Sequence, residues 1–116
     1  MKKFLILYCM PVAGLGEWMK VDEATRKEAE TKMKAEWDTW MASHAESIIE
    51  TAGLGKNVRV TKDGAAEVRN EIMLYTLVQA DSAEAVSAMF KDHPHFGIPE
   101  AWIEIMPANM LSGTTQ

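Results

Sequence analysis

The chain has 116 residues, a formal net charge of −5 and a sequence pI near 5.1. This length supports one hydrophobic core but not two, so we expect a single domain over residues 1–116. Hydrophobic residues make up 47% and charged residues 25%, a balance typical of globular proteins rather than disordered chains. The acidic balance offers no basic face for a phosphate backbone, which disfavours nucleic-acid binding.

The N-terminal segment admits two interpretations. Two lysines and the apolar run FLILYCM imitate a short signal peptide, whose apolar core usually spans about 7–15 residues. The run stops at Pro11 and the Gly14/Gly16 pair, so we interpret Phe4–Cys9 as a first strand instead. No segment approaches the roughly 18 apolar residues of a membrane span. We therefore expect a cytoplasmic protein without membrane contact, and the single cysteine excludes an intramolecular disulfide.

A long helix follows. From Asp22 to His44, apolar side chains recur at spacings of three and four residues and form one broad stripe. Asp22 is the expected N-cap, because its carboxylate can accept from the first free backbone N–H groups. The opposite face is charged and is interpreted as a solvated helix face. The stripe consists of Ala29, Met33, Trp37, Trp40, Met41 and His44.

The second half of the chain alternates strand and helix signals again. Glu71–Gln79 (EIMLYTLVQ) is the strongest strand pattern of the sequence. Asp81-Ser82-Ala83-Glu84 resembles a capping box that opens a short helix, which Pro94 ends. The other predicted elements are a strand at Ser47–Ala52, an extended segment at Asn57–Thr61, a turn at Lys62-Asp63-Gly64 and a last strand at Ala101–Met106.

This order of elements, βαββαβ, predicts the ferredoxin-like fold. It is an α+β architecture in which an antiparallel sheet carries both helices on one face. The strands Phe4–Cys9 and Glu71–Gln79 are apolar on both faces, whereas a half-exposed antiparallel sheet alternates apolar and polar residues. Helices on one side would leave a large apolar face in water. We therefore expect a homodimer formed by packing the free sheet faces together.

Five segments, taken in order, resemble the YCII-related (DGPF-type) family. They are KFLILY, EWDTWMASHA, SIIETAGLG, VQADSAEAVSAMFKDHPHF and IEIMP, and together they span nearly the whole chain. The resemblance implies a dimeric α/β barrel. The naming motif is present only as Asp63-Gly64-Ala65-Ala66. In one branch of the family, a first-helix histidine and an acid after the second helix are suspected of pairing. The spacing places these positions near Glu36 and His93, with the two residue types exchanged.

The resemblance implies little about the reaction. A few members are implicated in dehydrochlorination of aromatic compounds, and related barrels house isomerases and monooxygenases. The sequence contains no Ser-His-Asp order, Walker loop, dinucleotide fingerprint or Cys-x-x-Cys pair. Two classes remain open. One is a cofactor-free lyase or isomerase, working by proton transfer or dehydrochlorination on a small aromatic or lactone-like molecule. The other is a non-catalytic small-ligand-binding or accessory homodimer.

His93 and His95, in KDHPHF, are the principal candidates for catalysis. Histidine is the usual general acid or base near neutral pH. The alternative is structural: His93 and Pro94 end a helix while His95 caps carbonyls at the same bend. No metal-type spacing joins the histidines to further ligands, so we predict neither metal nor cofactor.

Glu36 is the candidate partner of these histidines, although Lys32, four residues earlier, competes for it. Glu104 in the last strand is a proton-transfer candidate if it faces the barrel and an ordinary solvated carboxylate if it does not. An apolar cleft between the sheet and the first helix is the default place for a small ligand. Its predicted binding residues are Tyr8, Trp37, Trp40, Phe96 and Trp102, with Tyr75 as a further aromatic candidate.

Overall fold

A computed structural model describes residues 1–109 and 111 of the chain. The elements are β1 Lys2–Cys9, α1 Val12–Met19, α2 Glu23–Ser43, β2 Ile48–Gly53, β3 Asn57–Thr61, β4 Gly64–Val68, β5 Ile72–Ala80, α3 Ala83–Phe90, a 3₁₀ turn Pro94–Gly97 and β6 Trp102–Pro107. In the part of the chain that the structure describes, none of the helices combines the length and the hydropathy of a membrane-spanning segment.

The main sheet has four antiparallel strands in the order β2-β5-β1-β6. Strands β3 and β4 form a separate two-stranded hairpin, inserted between β2 and β5. Without the hairpin and α1, the order is βαββαβ with the first strand in the centre of the sheet. This is the ferredoxin-like arrangement, and it confirms the predicted fold class.

Helices α2 and α3 each begin at a residue whose side chain caps the first turn. Asp22 accepts a hydrogen bond from the Thr25 backbone N–H at 3.0 Å, as predicted for the start of α2. Ser82 caps α3 by accepting from the Ala85 backbone N–H at 3.2 Å. The predicted capping box began at Asp81, one residue too early. Several neighbouring residues could serve as cap acceptors, and the sequence does not rank them.

Helix α1 was not predicted. It starts directly after Pro11, whose carbonyl accepts from the Gly14 backbone N–H at 3.0 Å. The sequence analysis took Pro11 and the glycines as the end of an element, whereas a proline also suits the residue before a helix. α1 spans only eight residues, buries none of them fully and contains two glycines, which are poor helix formers, so its sequence did not indicate a helix.

The two faces of the sheet differ in what covers them. On one face Phe4, Ile6, Tyr8 and Val78 are buried under α2 and α3. On the other, Leu5 lies opposite Leu77 and Met106 and is only half-buried. We call this second surface the open face. It consists of Leu5, Leu7, Tyr75, Leu77, Trp102, Glu104 and Met106.

Candidate functional site

His93 lies at the junction between α3 and the 3₁₀ turn, in the interior of the molecule. Its side chain is 2% exposed, and its Nδ1 accepts a hydrogen bond from the His95 backbone N–H at 2.9 Å. Because Nδ1 is the acceptor, the neutral ring carries its proton on Nε2. In the described part of the chain, that Nε2 has no hydrogen-bond partner. A buried donor without an acceptor is uncommon and calls for an explanation.

Four aromatic rings surround the His93 imidazole, and we call this group the aromatic enclosure. The Trp37 and Trp40 rings meet it edge-on, each at a centroid distance of 4.4 Å. Tyr8 lies at 5.1 Å and Phe90 stacks at 5.6 Å. The enclosure therefore draws on β1, α2 and α3, so the packing of both helices on the sheet holds the imidazole in place.

The enclosure also fixes the charge of His93. Burial lowers the pKa of His93 from its ordinary value of 6.5 to about 3, and the nearby His95 and His44 act in the same direction. The imidazole is therefore neutral at physiological pH. In this environment His93 is a hydrogen-bond donor through Nε2–H and a poor acceptor of protons.

His95 is buried as well, but its ring is attached to the sheet. Its Nε2 lies 2.8 Å from the Cys9 backbone carbonyl and donates to it, while Nδ1 has no hydrogen-bond partner among the described residues. Burial lowers the pKa of His95, and the backbone groups of Cys9 and Trp102 oppose this. The carbonyl cap predicted for His95 thus exists, but its acceptor belongs to β1 and not to the bend. The reason is that the bend folds back onto the end of that strand.

A row of hydroxyl groups crosses three strands on the core face, and we call it the hydroxyl chain. The Tyr8 hydroxyl lies 2.8 Å from Thr76 Oγ1, which lies 2.9 Å from Thr51 Oγ1. Burial raises the pKa of Tyr8 to about 12, and the Thr76 hydrogen bond opposes this. The sequence analysis missed both threonines, because a threonine in a strand is ordinary and only the cross-strand register brings these two together.

The structure divides the predicted site residues into two groups. Tyr8, Trp37 and Trp40 meet His93 in the aromatic enclosure. Phe96 is 48% exposed at the edge of the 3₁₀ turn, with its ring 6.5 Å from that of His95.

Like Phe96, the remaining predicted residues lie outside the enclosure, and Tyr75 is one of them, on the open face, where it donates to the Glu50 carboxylate. Trp102 donates to the Glu104 carboxylate at 2.8 Å on the open face, where Glu104 is exposed. Glu36 is exposed on α2 and, within the described residues, forms neither a hydrogen bond nor an ion pair with a histidine or with Lys32. The predicted Glu36–histidine pair is therefore not formed. One helical position separates Glu36 from the inward-facing Trp37, and that step turns it to solvent.

Two cavities of the described residues lie away from the enclosure. One of about 730 Å³ is lined by the start of β1, the first turn of α3 and the end of β6, and one of about 80 Å³ lies beneath α1. Neither is lined by His93 or His95. The rings of the enclosure pack closely on His93, which is 2% exposed. Over residues 1–109 and 111, no group of three or more histidine, cysteine or acidic residues could hold a metal ion.

Comparison with known proteins finds likeness at the level of structure. No protein-family profile matches the chain, and no curated protein matches it in sequence. Among solved structures, it is similar to 5-chloro-2-hydroxyhydroquinone dehydrochlorinase from Burkholderia phenoliruptrix AC1100, in complex with 2,5-dihydroxybenzoquinone. The TM-score is 0.50 at 10% identity, and the match covers 90% of this chain and 91% of that one. At this identity the likeness shows the fold alone, and it agrees with the ferredoxin-like arrangement of the sheet.

Proposed function

We propose that the protein is a YCII-related, cofactor-free lyase or isomerase that moves a proton on a small hydroxylated aromatic or quinonoid molecule. One observation carries the proposal: the buried Nε2–H of His93, which has no partner among the described residues and lies within an aromatic enclosure. The name and ligand of the structural neighbour, a dehydrochlorinase with a dihydroxybenzoquinone, support the class of substrate.

The enclosure suits a planar ring that bears oxygen. Aromatic side chains offer stacking and edge-on contacts to such a ring. The neutral His93 donates from Nε2 to a substrate oxygen whose negative charge grows as its proton leaves. A fixed donor in a site without water stabilises such an oxyanion more than water would. His95 acts through His93, because its backbone N–H fixes the tautomer and its ring attaches the turn to β1.

Dehydrochlorination of a chlorinated hydroxyhydroquinone balances without any co-reactant. One substrate hydroxyl gives up its proton to the chlorine-bearing ring carbon, which becomes tetrahedral as that hydroxyl becomes a carbonyl. A second hydroxyl then loses its proton, its electrons pass through the ring, and the C–Cl bond breaks as chloride leaves with the bonding electron pair. HCl departs in total and the ring reaches the hydroxyquinone level, so no external oxidant is required. In this step His93 and Tyr8 hold the substrate oxygens and do not change oxidation state.

Substrate entry requires the enclosure to open. His93 is 2% exposed, whereas Trp37 is only half-buried and lies against both Tyr8 and His93. Of the four rings, Trp37 therefore loses the least buried surface when its side chain rotates out of the enclosure to admit a ligand. The substrate then takes the place of the Trp37 indole against Tyr8, and the His93 Nε2–H donates a hydrogen bond to it.

The test is chloride release from 5-chloro-2-hydroxyhydroquinone, followed together with quinone absorbance. Asparagine in place of His93 keeps an acceptor for the His95 N–H but removes the ring donor. We expect His93→Asn to lower kcat at least about a hundredfold, the usual scale for losing one oxyanion donor. The matched control is His44→Asn, at a histidine outside the enclosure, which should keep wild-type kcat. Equal rates for His93→Asn and wild type would refute the role of His93.

The second candidate is a non-catalytic ligand-binding or accessory homodimer. It is favoured by the close packing of the enclosure and by the low pKa of His93, which makes the residue a weak base. Saturable binding of 2,5-dihydroxybenzoquinone with no turnover of any chlorinated or unchlorinated hydroxyhydroquinone would support it. Cofactor independence stays a prediction, and stoichiometric zinc or iron in protein purified without a metal-binding tag would overturn it.

A further inference from the structure

The protons of the hydroxyl chain can point along the row in either direction. Tyr8 and Thr76 are fully buried, and Thr51 is half-buried. The O···O distances of 2.8 and 2.9 Å are those of good hydrogen bonds, and either atom of each pair could be the donor. The row therefore has more than one arrangement of its protons on the same heavy-atom positions.

Only two arrangements satisfy the buried Thr76. If both neighbours donated to it, its own proton would have no acceptor, since these two hydroxyls are its side-chain partners in the described structure. In one permitted arrangement every proton points away from Tyr8, and Thr51 donates weakly to Met41 Sδ at 3.8 Å. In the other every proton points toward Tyr8, and the Tyr8 proton itself is free to donate to a ligand. Reversal gives up only the weak sulfur contact.

We propose that Thr76 and Thr51 are positioning residues that direct the Tyr8 proton at an oxygen of the bound substrate. The inference rests on the proposed function. Without a ligand the row ends on Met41. When an anionic oxygen arrives, the row reverses, and Tyr8 donates to it while accepting from Thr76. Tyr8 thus becomes a second donor beside His93, whose ring lies 5.1 Å from its own.

The test is calorimetric titration with 2,5-dihydroxybenzoquinone as the probe. Thr76→Val removes the hydroxyl at nearly constant shape and should weaken the affinity about tenfold, the scale of one hydrogen bond to a charged group. Thr76→Ser restores a hydroxyl and should bind within about twofold of wild type. Thr51→Val should give a smaller loss. The control Thr39→Val, on the exposed side of α2, should change nothing.

The deciding variant combines Tyr8→Phe with Thr76→Val. If Thr76 acts through Tyr8, its substitution has no further effect once the phenol is gone. An equal loss in both backgrounds would mean that Thr76 acts through packing, and it would overturn the inference. Wild-type affinity in Thr76→Val would do so too. Absence of probe binding by the wild-type protein would overturn the proposed function and this inference with it. Probe binding by wild type that Thr76→Val leaves unchanged would overturn this inference alone, so the two failures are distinguishable. If Thr76→Val fails to fold, as judged by near-ultraviolet circular dichroism, the same cycle with Thr51→Val decides.

Discussion

At the scale of single residues, His93 has a structural role through one ring nitrogen and a proposed chemical role through the other. His93 caps the 3₁₀ turn through Nδ1 and leaves Nε2 without a partner among the described residues. The sequence showed that a proline between two histidines would shape a bend. It could not show which ring nitrogens form hydrogen bonds, because the acceptor of His95 Nε2 is the Cys9 carbonyl, 86 residues away in the chain.

Burial of neutral histidines predicts that acid destabilises the fold. His93 has a folded-state pKa near 3 against 6.5 when unfolded, so between these values the unfolded chain binds more protons. The contribution of neutral His93 to the free energy of unfolding is complete above pH 6.5 and is lost as the pH falls toward 3. The free energy of unfolding changes by at most about 1.4 kcal/mol per pH unit on this account. The pKa of His95 is shifted in the same direction.

Urea denaturation between pH 7.5 and 4 measures this slope. We expect His93→Asn to be less stable than wild type at pH 7.5, because it leaves space in the aromatic enclosure, yet to show a shallower pH dependence. His44→Asn should change the wild-type slope only slightly, because His44 is the smallest of the three causes that lower the pKa of His93. A slope for His93→Asn equal to that of wild type would show that folding does not lower the pKa of His93.

At the scale of elements, the parts that pack on the core were predictable, whereas of the exposed parts only β3, Asn57–Thr61, was predicted. The bounds of α2 and β5 differ from the predicted ones by a residue or so, because each has an inward face whose periodicity is visible in the sequence. α1 and β4 escaped prediction, since the first buries no residue and the second is exposed at Gly64–Glu67. Helix periodicity also placed Trp37 and Trp40 at the site, but it did not place Glu36 on the solvent side.

The β3–β4 hairpin depends on a glycine at its turn. Gly64 has a φ of 143°, a region that residues with a side chain rarely adopt, although the space around it is open. We expect Gly64→Ala to remove hydrogen-exchange protection from hairpin amides and to leave that of β1 and β5 unchanged, because the hairpin is not part of the main sheet.

The matched control is Gly55→Ala, where a methyl group also meets open space and no positive φ interferes. It should leave hairpin protection as in wild type. Loss of protection across the four-stranded sheet in Gly64→Ala would show instead that hairpin and sheet fold as one cooperative unit.

At the scale of the whole molecule, the open face predicts self-association. Helices cover one face of the sheet, while Leu5, Leu7 and Leu77 remain half-exposed on the other. A contiguous apolar patch of this kind is unusual on a monomer and typical of an interface. The two-fold packing of sheets in a dimeric α/β barrel would cover it and place Glu104 near the interface.

Light scattering at micromolar concentration tests this assembly. We expect wild type to have twice the chain mass of 12.9 kDa. Leu77→Lys, in the middle of the open face, should give a monomer, because dimerisation would bury an unpaired charge. The control Val60→Lys, at a residue 76% exposed on the hairpin, should remain a dimer. A wild-type mass of 12.9 kDa would refute the dimer.

The central claim is that His93 presents a free Nε2–H to a ligand within the aromatic enclosure. Long-range ¹H–¹⁵N spectra of the imidazoles test it directly, since the chain has only three histidines to assign. At pH 7 we predict a neutral His93 ring with its proton on Nε2, and a change in the Nε2 resonance when 2,5-dihydroxybenzoquinone is added. A doubly protonated His93 at pH 7, or His93 resonances that stay unchanged at saturating probe, would contradict the account.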